Sequence, residues 1–296
     1  MKIARIAESI NVMSKTLGPA MKGRDPKPIQ EMAIKQQQNG ANVLDINIGP
    51  ARKEGDQLME WMVKTVEEVS DLPLSLDTTN PVAMEAGLKA VTKARPIINS
   101  ISLQPERMAI MLPMVTKYNA QMIALLWGKE GMPRDTNERA LMATELVYAA
   151  NQAGVVNEDI YVDPIVSPVS VEINQVLSCA EFMSMIADIA PGAKTTVGLS
   201  NISNGTPDHL RGILNRTYMS MLNRYETLYS AIIDAFDSEL AQLANDGLPE
   251  IYKLVWRIMD GEEVSLASLS EKEVHYAKTT RVLMGKNLYS HSWLEV

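Results

Sequence analysis

Short apolar segments of this sequence end repeatedly in an acid or an amide. The segment VLDINIGP at residues 43–50 places Asp45 and Asn47 directly before a Gly-Pro turn. Similar segments recur along the chain, and the polar residues that end them are Asp77, Asn99, Asp163, and Ser200 with Asn201. None of these positions is a lysine or an arginine. Carboxylates and carboxamides suit a polar heterocycle, because a carboxylate accepts two adjacent N–H donors as it does from a guanidinium.

Each of these residues, taken alone, has a structural alternative. Asp, Asn and Ser at the end of a strand often cap the next helix or form a local turn. Asp45 and Ser200 fit that explanation well, whereas Asp163 precedes Pro164, which has no N–H to offer. The pattern across five segments is harder to explain by capping alone, so the sequence favours a shared binding site.

The apolar periodicity predicts the elements that would bring these residues together. Short apolar segments alternate with longer amphipathic helical patterns, which is typical of βαβ units and a parallel sheet. About eight repeats favour an α/β fold, the closed (β/α)8 TIM barrel, in which the carboxyl ends of all strands share one face. An open doubly wound sheet is the alternative fold. The pattern predicts one continuous helix over 172–189 and a strand over 195–199.

The sequence pattern of the chain changes after residue 240. The stretch that follows is acidic and helical, with turns at Asp246-Gly247 and Asp260-Gly261. We therefore predict a barrel domain over residues 1–240 and a C-terminal helical extension, residues 241–296, packed on that barrel.

Composition and charge exclude several classes of function. The chain has 296 residues, enough for a large core, with a net charge of -8 and a pI near 5.1, which argues against a nucleic-acid partner. The N-terminus lacks the apolar core of a signal peptide, and no apolar run is long enough to cross a membrane. A single cysteine, Cys179, excludes an internal disulfide, so we predict a cytoplasmic protein.

Metal and phosphate chemistry have little support in the sequence. The three histidines, His209, His275 and His291, are scattered, and one cysteine cannot supply a thiolate cluster. A carboxylate-only metal site stays open, but we predict no protein-bound metal. Neither the GxGxxG motif nor a GxxxxGK motif followed by Ser or Thr occurs, so the usual phosphate-binding loops are absent.

Six segments carry a resemblance to a known family. They run in the order LDINIGP, LDTTNPVAMEAGLKA, INSIS, YVDPIVSPV, TTVGLSNISN and ILNRTYM. Together they resemble the methyltetrahydrofolate:corrinoid-protein methyltransferases. That family is part of the pterin-binding barrel superfamily, with dihydropteroate synthase and the folate module of cobalamin-dependent methionine synthase. The resemblance covers about residues 3–240.

The resemblance implies a role for each strand-end residue. Asp77 and Asp163 match the aspartates that anchor the pterin, and Asn99 matches its asparagine. Asn201 matches the asparagine beside N5 of the folate and is the implied catalytic residue. The other implied contacts surround the folate: Asp45 and Asn47 at the site floor, Gly198 and Ser200 flanking the GLSN turn, Arg211 at the anionic folate tail, and Glu8 and Asn11 of AESINVM in the strand-1 motif. Capping of the first turn is the alternative role for Glu8 and Asn11.

The resemblance also implies a reaction and its partners. A methyl group would move between N5 of tetrahydrofolate and the cobalt of a corrinoid (cobalamin) carried by a separate protein, so the chain needs no nucleophile of its own. N5 is a poor leaving group, and protonation or a strong hydrogen bond there would activate it. The direction stays open: the corrinoid could be charged by O-demethylation or methylamine breakdown in anaerobic one-carbon metabolism. The family usually forms homodimers.

Two departures from the family pattern keep other functions in view. Leu126-Trp127-Gly128 stands where the family commonly has Thr-Met-Asn. The segment near 241–285 is longer than the corresponding segment of the family's acetogenic carbonyl-pathway enzymes. A non-catalytic folate-binding subunit is therefore one alternative. Dihydropteroate synthase is a weaker one, because departure of pyrophosphate needs strand-end cations that this chain lacks.

Overall fold

Eight parallel strands form one closed sheet in the computed structural model, which describes residues 2–295. The strands are β1 (Ala4–Asn11), β2 (Val43–Asn47), β3 (Leu74–Asp77), β4 (Ile97–Ser102), β5 (Gln121–Leu125), β6 (Ile160–Asp163), β7 (Lys194–Thr195) and β8 (Ser230–Ile233). The strands from β1 to β7 pair in chain order, and β1 also pairs with β8. The Ile232 N–H donates to the Val197 carbonyl at 2.8 Å and thereby joins β8 to the segment that follows β7. The predicted barrel is confirmed, and the open sheet is wrong.

Helices alternate with the strands and cover the outside of the barrel. Those of the barrel are α1 (Leu17–Gly23), α2 (Pro26–Gln38), α3 (Gly55–Glu67), α4 (Pro81–Ala90), α5 (Pro105–Lys117), α6 (Thr136–Gln152), α7 (Ile173–Phe182), α8 (Ile186–Ile189) and α9 (Asp208–Leu222). Three more follow β8: α10 (Ser238–Ala244), α11 (Pro249–Met259) and α12 (Glu271–Leu283). Several begin with Asp, Asn or Ser caps, as at α2, α4 and α12.

The continuous helix predicted over 172–189 is wrong, because the chain breaks between α7 and α8. The Ser184 N–H and the Ser184 hydroxyl both donate to the Glu181 carbonyl, at 3.0 and 2.8 Å. This tighter local bonding replaces the regular helical pattern and ends α7. The predicted strand over 195–199 is also too long, since β7 ends at Thr195 and Leu199–Ser203 forms a 3₁₀ turn.

Two strands carry register shifts at the positions of predicted site residues. In β1 the pairing with β2 gains one residue between Ala7 and Ile10, and in β4 the pairing with β5 gains one between Ile98 and Ile101. Such bulges bend a strand and re-aim its side chains. They therefore set the direction of Glu8 in β1 and of Asn99 in β4.

The C-terminal helices pack on the barrel through named polar contacts. The Trp256 indole N–H of α11 donates to the Ser220 carbonyl of α9 at 2.8 Å. The Tyr276 hydroxyl of α12, which is buried, donates to Glu239 of α10 at 2.8 Å. Residue 240, the predicted domain boundary, lies inside α10, whose Ala244 carbonyl accepts from the Ile3 N–H. Within residues 2–295 no helix combines the length and the apolar character needed to span a bilayer.

Close packing between α3 and α4 depends on Gly87. A Cβ at this position would lie 2.5 Å from Met59 Cγ and 2.9 Å from Leu76 Cδ1, so the Gly87→Ala variant forces a shift in the core. We expect a loss of about 1–3 kcal/mol in the free energy of unfolding, measured by urea titration.

Gly23 of α1 is the matched control. A Cβ there meets nothing within 4 Å, so Gly23→Ala should leave stability unchanged or raise it by up to about 1 kcal/mol. Equal effects of the two substitutions would contradict this view of the packing.

Candidate functional site

Strand register places four polar residues in one row across the barrel mouth. Asn11 pairs with Asn47, Asn47 with Asp77, and Asp77 with Asn99. Asn11, Asn47 and Asp77 are the last residues of β1, β2 and β3, and Asn99 lies within β4. The neighbouring strands therefore present the four side chains at one level of the barrel mouth. The Asn47 side-chain amide donates to the Asp77 carboxylate. All four residues were named from the sequence, with Asn11 as a member of the strand-1 motif that either lines the site or caps the first turn.

Asp45 lies one layer deeper and is buried. Its carboxylate accepts hydrogen bonds from the Ser75 hydroxyl at 2.6 Å and from the Asn99 side-chain amide at 3.0 Å. Burial raises the pKa of Asp45 to about 6, against the effect of these two bonds, and the charge of Glu8 adds to the rise. Asp45 therefore links the row above it to Glu8 of β1.

Asp77 is the one carboxylic acid among the four residues of this row, the other three being asparagines. Burial raises its pKa well above the usual range, the charge of Asp45 adds to the rise, and Arg107 opposes it. A ligand that brings hydrogen-bond donors to this carboxyl group would stabilise its charged form, so the position favours such a ligand.

Arg107 of α5 lies beside Asp77 and was not identified from the sequence. Its guanidinium donates to three backbone carbonyls, those of Ser100, Thr78 and Thr79. It therefore ties the end of β4 to the loop after β3 and supplies positive charge beside Asp77. A helix position, away from every strand end, gave no sequence signal of this role.

Asp163 is buried at the end of β6, where a local turn forms around it. The Ile165 N–H donates to its Oδ1 at 2.8 Å, so the turn closes two residues further along the chain and past Pro164. Burial raises the pKa of Asp163 to about 7. The fully buried Arg139 donates to the Pro164 carbonyl at 3.0 Å and holds this loop in place.

The 3₁₀ turn after β7 separates two neighbouring polar side chains. The Ser200 hydroxyl donates to Glu8 Oε1 at 2.5 Å, whereas Asn201 is exposed and accepts from the Asn204 side-chain amide at 3.2 Å. Gly198 permits this arrangement, because a Cβ there would come within 2.9 Å of Asn201 Nδ2.

Three cavities open among these residues. The first, about 490 Å³, contains Asp77 and Asn99 together with Arg107 and Trp127. The second, about 460 Å³, contains Glu8, Ser200 and Arg211, and the third, about 250 Å³, contains Asn201. The structure thus distributes the predicted residues over several cavities. Asp45, Asn47, Asp163 and Gly198 line none of these three.

The barrel geometry relates the first cavity to Asn201. In the closed strand order, β3 and β7 are separated by three strands in either direction, so Asp77 and the turn with Asn201 face each other across the mouth. A flat bicyclic ligand that offers adjacent N–H donors at one end fits this polarity, with acceptors on the β3 side and an amide on the β7 side.

The carboxyl groups of the site have amide and hydroxyl donors as partners, as at Asp45. Within residues 2–295, no three His, Cys, Asp or Glu side chains are arranged so that they could hold a metal ion.

Family and sequence comparisons give a consistent assignment. A model of the pterin binding enzyme family matches residues 9–249. The methylcorrinoid:tetrahydrofolate methyltransferase of Eubacterium limosum is 26% identical over 262 residues, covering 85% of this chain and 95% of that protein. A methionine synthase of Mycobacterium tuberculosis is 26% identical over 216 residues, 70% of this chain but 18% of that much longer protein.

Solved structures show the same fold. Dihydropteroate synthase from Thermus thermophilus, in complex with 6HMPPP, has a TM-score of 0.63 at 17% identity, covering 83% of this chain and 94% of that one. Dihydropteroate synthase from Xanthomonas albilineans has a TM-score of 0.60 at 16% identity, covering 88% and 94%. At this level of identity the likeness concerns the fold alone.

Replacing Asp163 by Asn should change how stability depends on pH. The folded pKa of Asp163, about 7, lies above its ordinary value, so the stability from this group is full at low pH and is lost as pH rises through 7. Asn stays neutral and keeps an acceptor for the Ile165 N–H. We expect the advantage of Asp163→Asn over the unaltered chain to grow by roughly 2 kcal/mol between pH 5 and pH 8.

Thermal or urea unfolding at several pH values measures this difference. Asp188→Asn is the control, because Asp188 is exposed on α8 and its replacement should give no such trend. A constant difference for Asp163→Asn from pH 5 to pH 8 would contradict the prediction.

Proposed function

The chain belongs to the pterin binding enzyme family, and from this premise we propose that it moves a methyl group between N5 of tetrahydrofolate and the cobalt of a corrinoid carried by a partner protein. The main support is the row of Asn47, Asp77 and Asn99 at one level of the barrel mouth. The Eubacterium limosum relative, whose name describes transfer between a methylcorrinoid and tetrahydrofolate, is matched over 95% of its length and supports the same reaction.

We assign the pterin anchors to Asp77, Asn99 and Asp163. The pterin ring carries an N–H beside an exocyclic amine, and a carboxylate accepts such a pair side by side. Asp77 and Asn99 line one cavity of about 490 Å³, a size typical of small-molecule sites. Asn99 can donate to ring carbonyl oxygens and accept from ring N–H groups, while its amide also bonds Asp45.

We assign the activation of N5 to Asn201. The methyl group leaves a tertiary amine only when positive charge develops at N5 or is already present there. An amide that accepts a hydrogen bond from protonated N5 stabilises that charge most in the transition state, and such differential binding raises kcat. Asn204 donates to Asn201 Oδ1 and fixes the orientation of this amide.

The remaining assigned contacts support these anchors. Asn47 orients Asp77 through its amide, and Asp45 orients Asn99. Gly198 leaves room for the amide of Asn201. Arg211 is kept as the contact for the anionic folate tail, because it is the single Lys or Arg side chain lining its cavity within the described part of the chain.

The corrinoid supplies the methyl acceptor or donor, so the chain itself needs no nucleophile. Cys179, its one cysteine, is fully buried, and burial raises the pKa of the thiol to about 11, which keeps it protonated and unreactive. The reaction is reversible in principle, and the same residues serve both directions. Transfer in an anaerobic O-demethylation system, a cytoplasmic location and a homodimer stay predictions.

A non-catalytic folate-binding subunit is the second candidate. The observation that favours it is Trp127, which belongs to the Leu-Trp-Gly departure from the family pattern and lines the cavity of Asp77 and Asn99 while 40% exposed. This candidate predicts folate binding without turnover. Dihydropteroate synthase has less support, because Arg107 in that cavity is already bonded to three carbonyl groups.

Methyl transfer is tested by anaerobic mixing with methyltetrahydrofolate and cob(I)alamin, following the loss of Co(I) absorbance. We expect Asn201→Ala to lower kcat about a hundredfold, because it removes a partner of the charged transition state. Asp77→Asn should instead raise the Kd for folate about tenfold or more, because it removes a charged acceptor.

Asn174→Ala, at an exposed position of α7, is the control and should behave as the unaltered chain. Folate binding without any transfer, repeated with candidate corrinoid proteins, would favour the binding subunit. Absence of both binding and transfer would rule out the pterin assignment.

A further inference from the structure

The segment after α12, residues 286–295, lines none of the three cavities described above, yet it contacts the loop that contains Asn201. The contact is a hydrogen bond between the hydroxyl groups of Tyr289 and Thr206, whose oxygen atoms are 2.7 Å apart. Thr206 follows the 3₁₀ turn Leu199–Ser203 and precedes α9. The C-terminal segment therefore reaches the loop after β7 at the barrel mouth.

The aromatic residues of this C-terminal segment are fixed by α12. Trp293 is buried, and its indole N–H donates to the Thr279 hydroxyl of α12 at 2.9 Å. The Tyr289 ring lies against the rings of Trp293 and His291, with centroids 5.6 and 5.9 Å apart. Aromatic pairs at these separations attract each other beyond the area that they bury. The position of Tyr289 is therefore set by contacts other than the loop that its hydroxyl binds.

Asn204 connects this contact to Asn201. The Asn204 side-chain amide donates to Asn201 Oδ1 at 3.2 Å, and its backbone N–H donates to the Asn201 carbonyl at 3.1 Å. On one side, the Ser170 hydroxyl donates to the Asn204 carbonyl at 3.2 Å. On the other side, two residues further along the chain, Thr206 is held by Tyr289. The side chain that orients Asn201 therefore lies between two supports from outside the loop.

On the basis of the proposed function, we propose that Tyr289 is a positioning residue for methyl transfer. It holds the turn that carries Asn201 through its hydrogen bond to the Thr206 hydroxyl. Thr206 is only 7% exposed, so loss of its partner leaves a buried hydroxyl group without a hydrogen bond. The loop then shifts to regain a partner, and Asn204 moves with it. Small displacements of a group that contacts the reacting atoms lower a reaction rate strongly.

This role gives α12 a function at the site. The residues of α12 line none of the three cavities. The helix instead supports Trp293, which supports Tyr289, which in turn supports the loop. The C-terminal extension thus completes the site from outside without supplying a residue that contacts the substrate.

Single-turnover methyl transfer from methyltetrahydrofolate to cob(I)alamin tests this role in the full chain. Tyr289→Phe removes the hydroxyl group and keeps the ring that packs against Trp293. We expect the rate to fall about tenfold with the Kd for tetrahydrofolate unchanged, because the pterin anchors on β3 and β4 are untouched.

Substitutions of Thr206 test the same hydrogen bond from its other end. Thr206→Val removes the hydroxyl with little change of shape and should give the same loss, which covers the case in which Tyr289→Phe does not fold. Thr206→Ser keeps a hydroxyl group and should keep the rate of the unaltered chain.

Two further measurements separate this role from a general loss of stability. The double variant Tyr289→Phe/Thr206→Val should lose about tenfold in rate, not about a hundredfold, because both substitutions break one hydrogen bond. Hydrogen exchange should become faster at the backbone N–H groups of Asn204 and Thr206 and stay unchanged at that of Ile232 in β8. A purely structural contact would instead speed exchange at all three groups and leave the single-turnover rate of the folded protein unaltered.

Tyr148→Phe is the control, because Tyr148 is 64% exposed on α6 and lines none of the three cavities. It should keep the rate of the unaltered chain. A normal rate in Tyr289→Phe or in Thr206→Val, or losses that multiply in the double variant, would overturn the role of Tyr289 while the methyl-transfer function stands. Absence of transfer in the unaltered chain would instead overturn the proposed function, and this role with it.

Discussion

The burial of carboxyl groups that form no ion pair within the described part of the chain is the constraint on which this site depends. Asp45, Asp77, Asp163 and Glu8 all have raised pKa values, and desolvation is the largest cause in each case. Burying any of these groups in its charged form without a partner costs free energy. Each group therefore tends either to keep its proton or to accept hydrogen bonds from the N–H donors of a ligand. A site built this way favours a neutral heterocycle rich in N–H donors.

The surrounding structure holds these costly groups in place through polar contacts. Asn47 and Asn99 donate to Asp77 and Asp45, so amides stabilise the two carboxylates without adding charge. Arg107 braces the loops on one side through backbone carbonyls. Because the stiff barrel fixes the strand ends, these hydrogen bonds form before any ligand arrives, which lowers the cost of binding.

The sequence predicted the barrel because its apolar segments alternate with amphipathic helices over the whole length of β1 to β8. It predicted Asp77 and Asn99 as neighbours because both lie near the ends of adjacent strands. It could not predict the bulge that carries Glu8, since an extra residue in a strand depends on pairing between distant segments. For the same reason the division of Ser200 and Asn201 between two cavities had no signal in the sequence.

The pH dependence of folate binding tests the central claim most directly. Isothermal titration calorimetry of tetrahydrofolate, in two buffers of different ionisation enthalpy, reports both the affinity and the protons exchanged on binding. If buried carboxylates anchor the pterin, affinity should rise between about pH 5.5 and pH 8, and binding near pH 6 should release protons as Asp163 becomes a charged acceptor. Binding that is independent of pH, with no proton exchanged, would contradict the account.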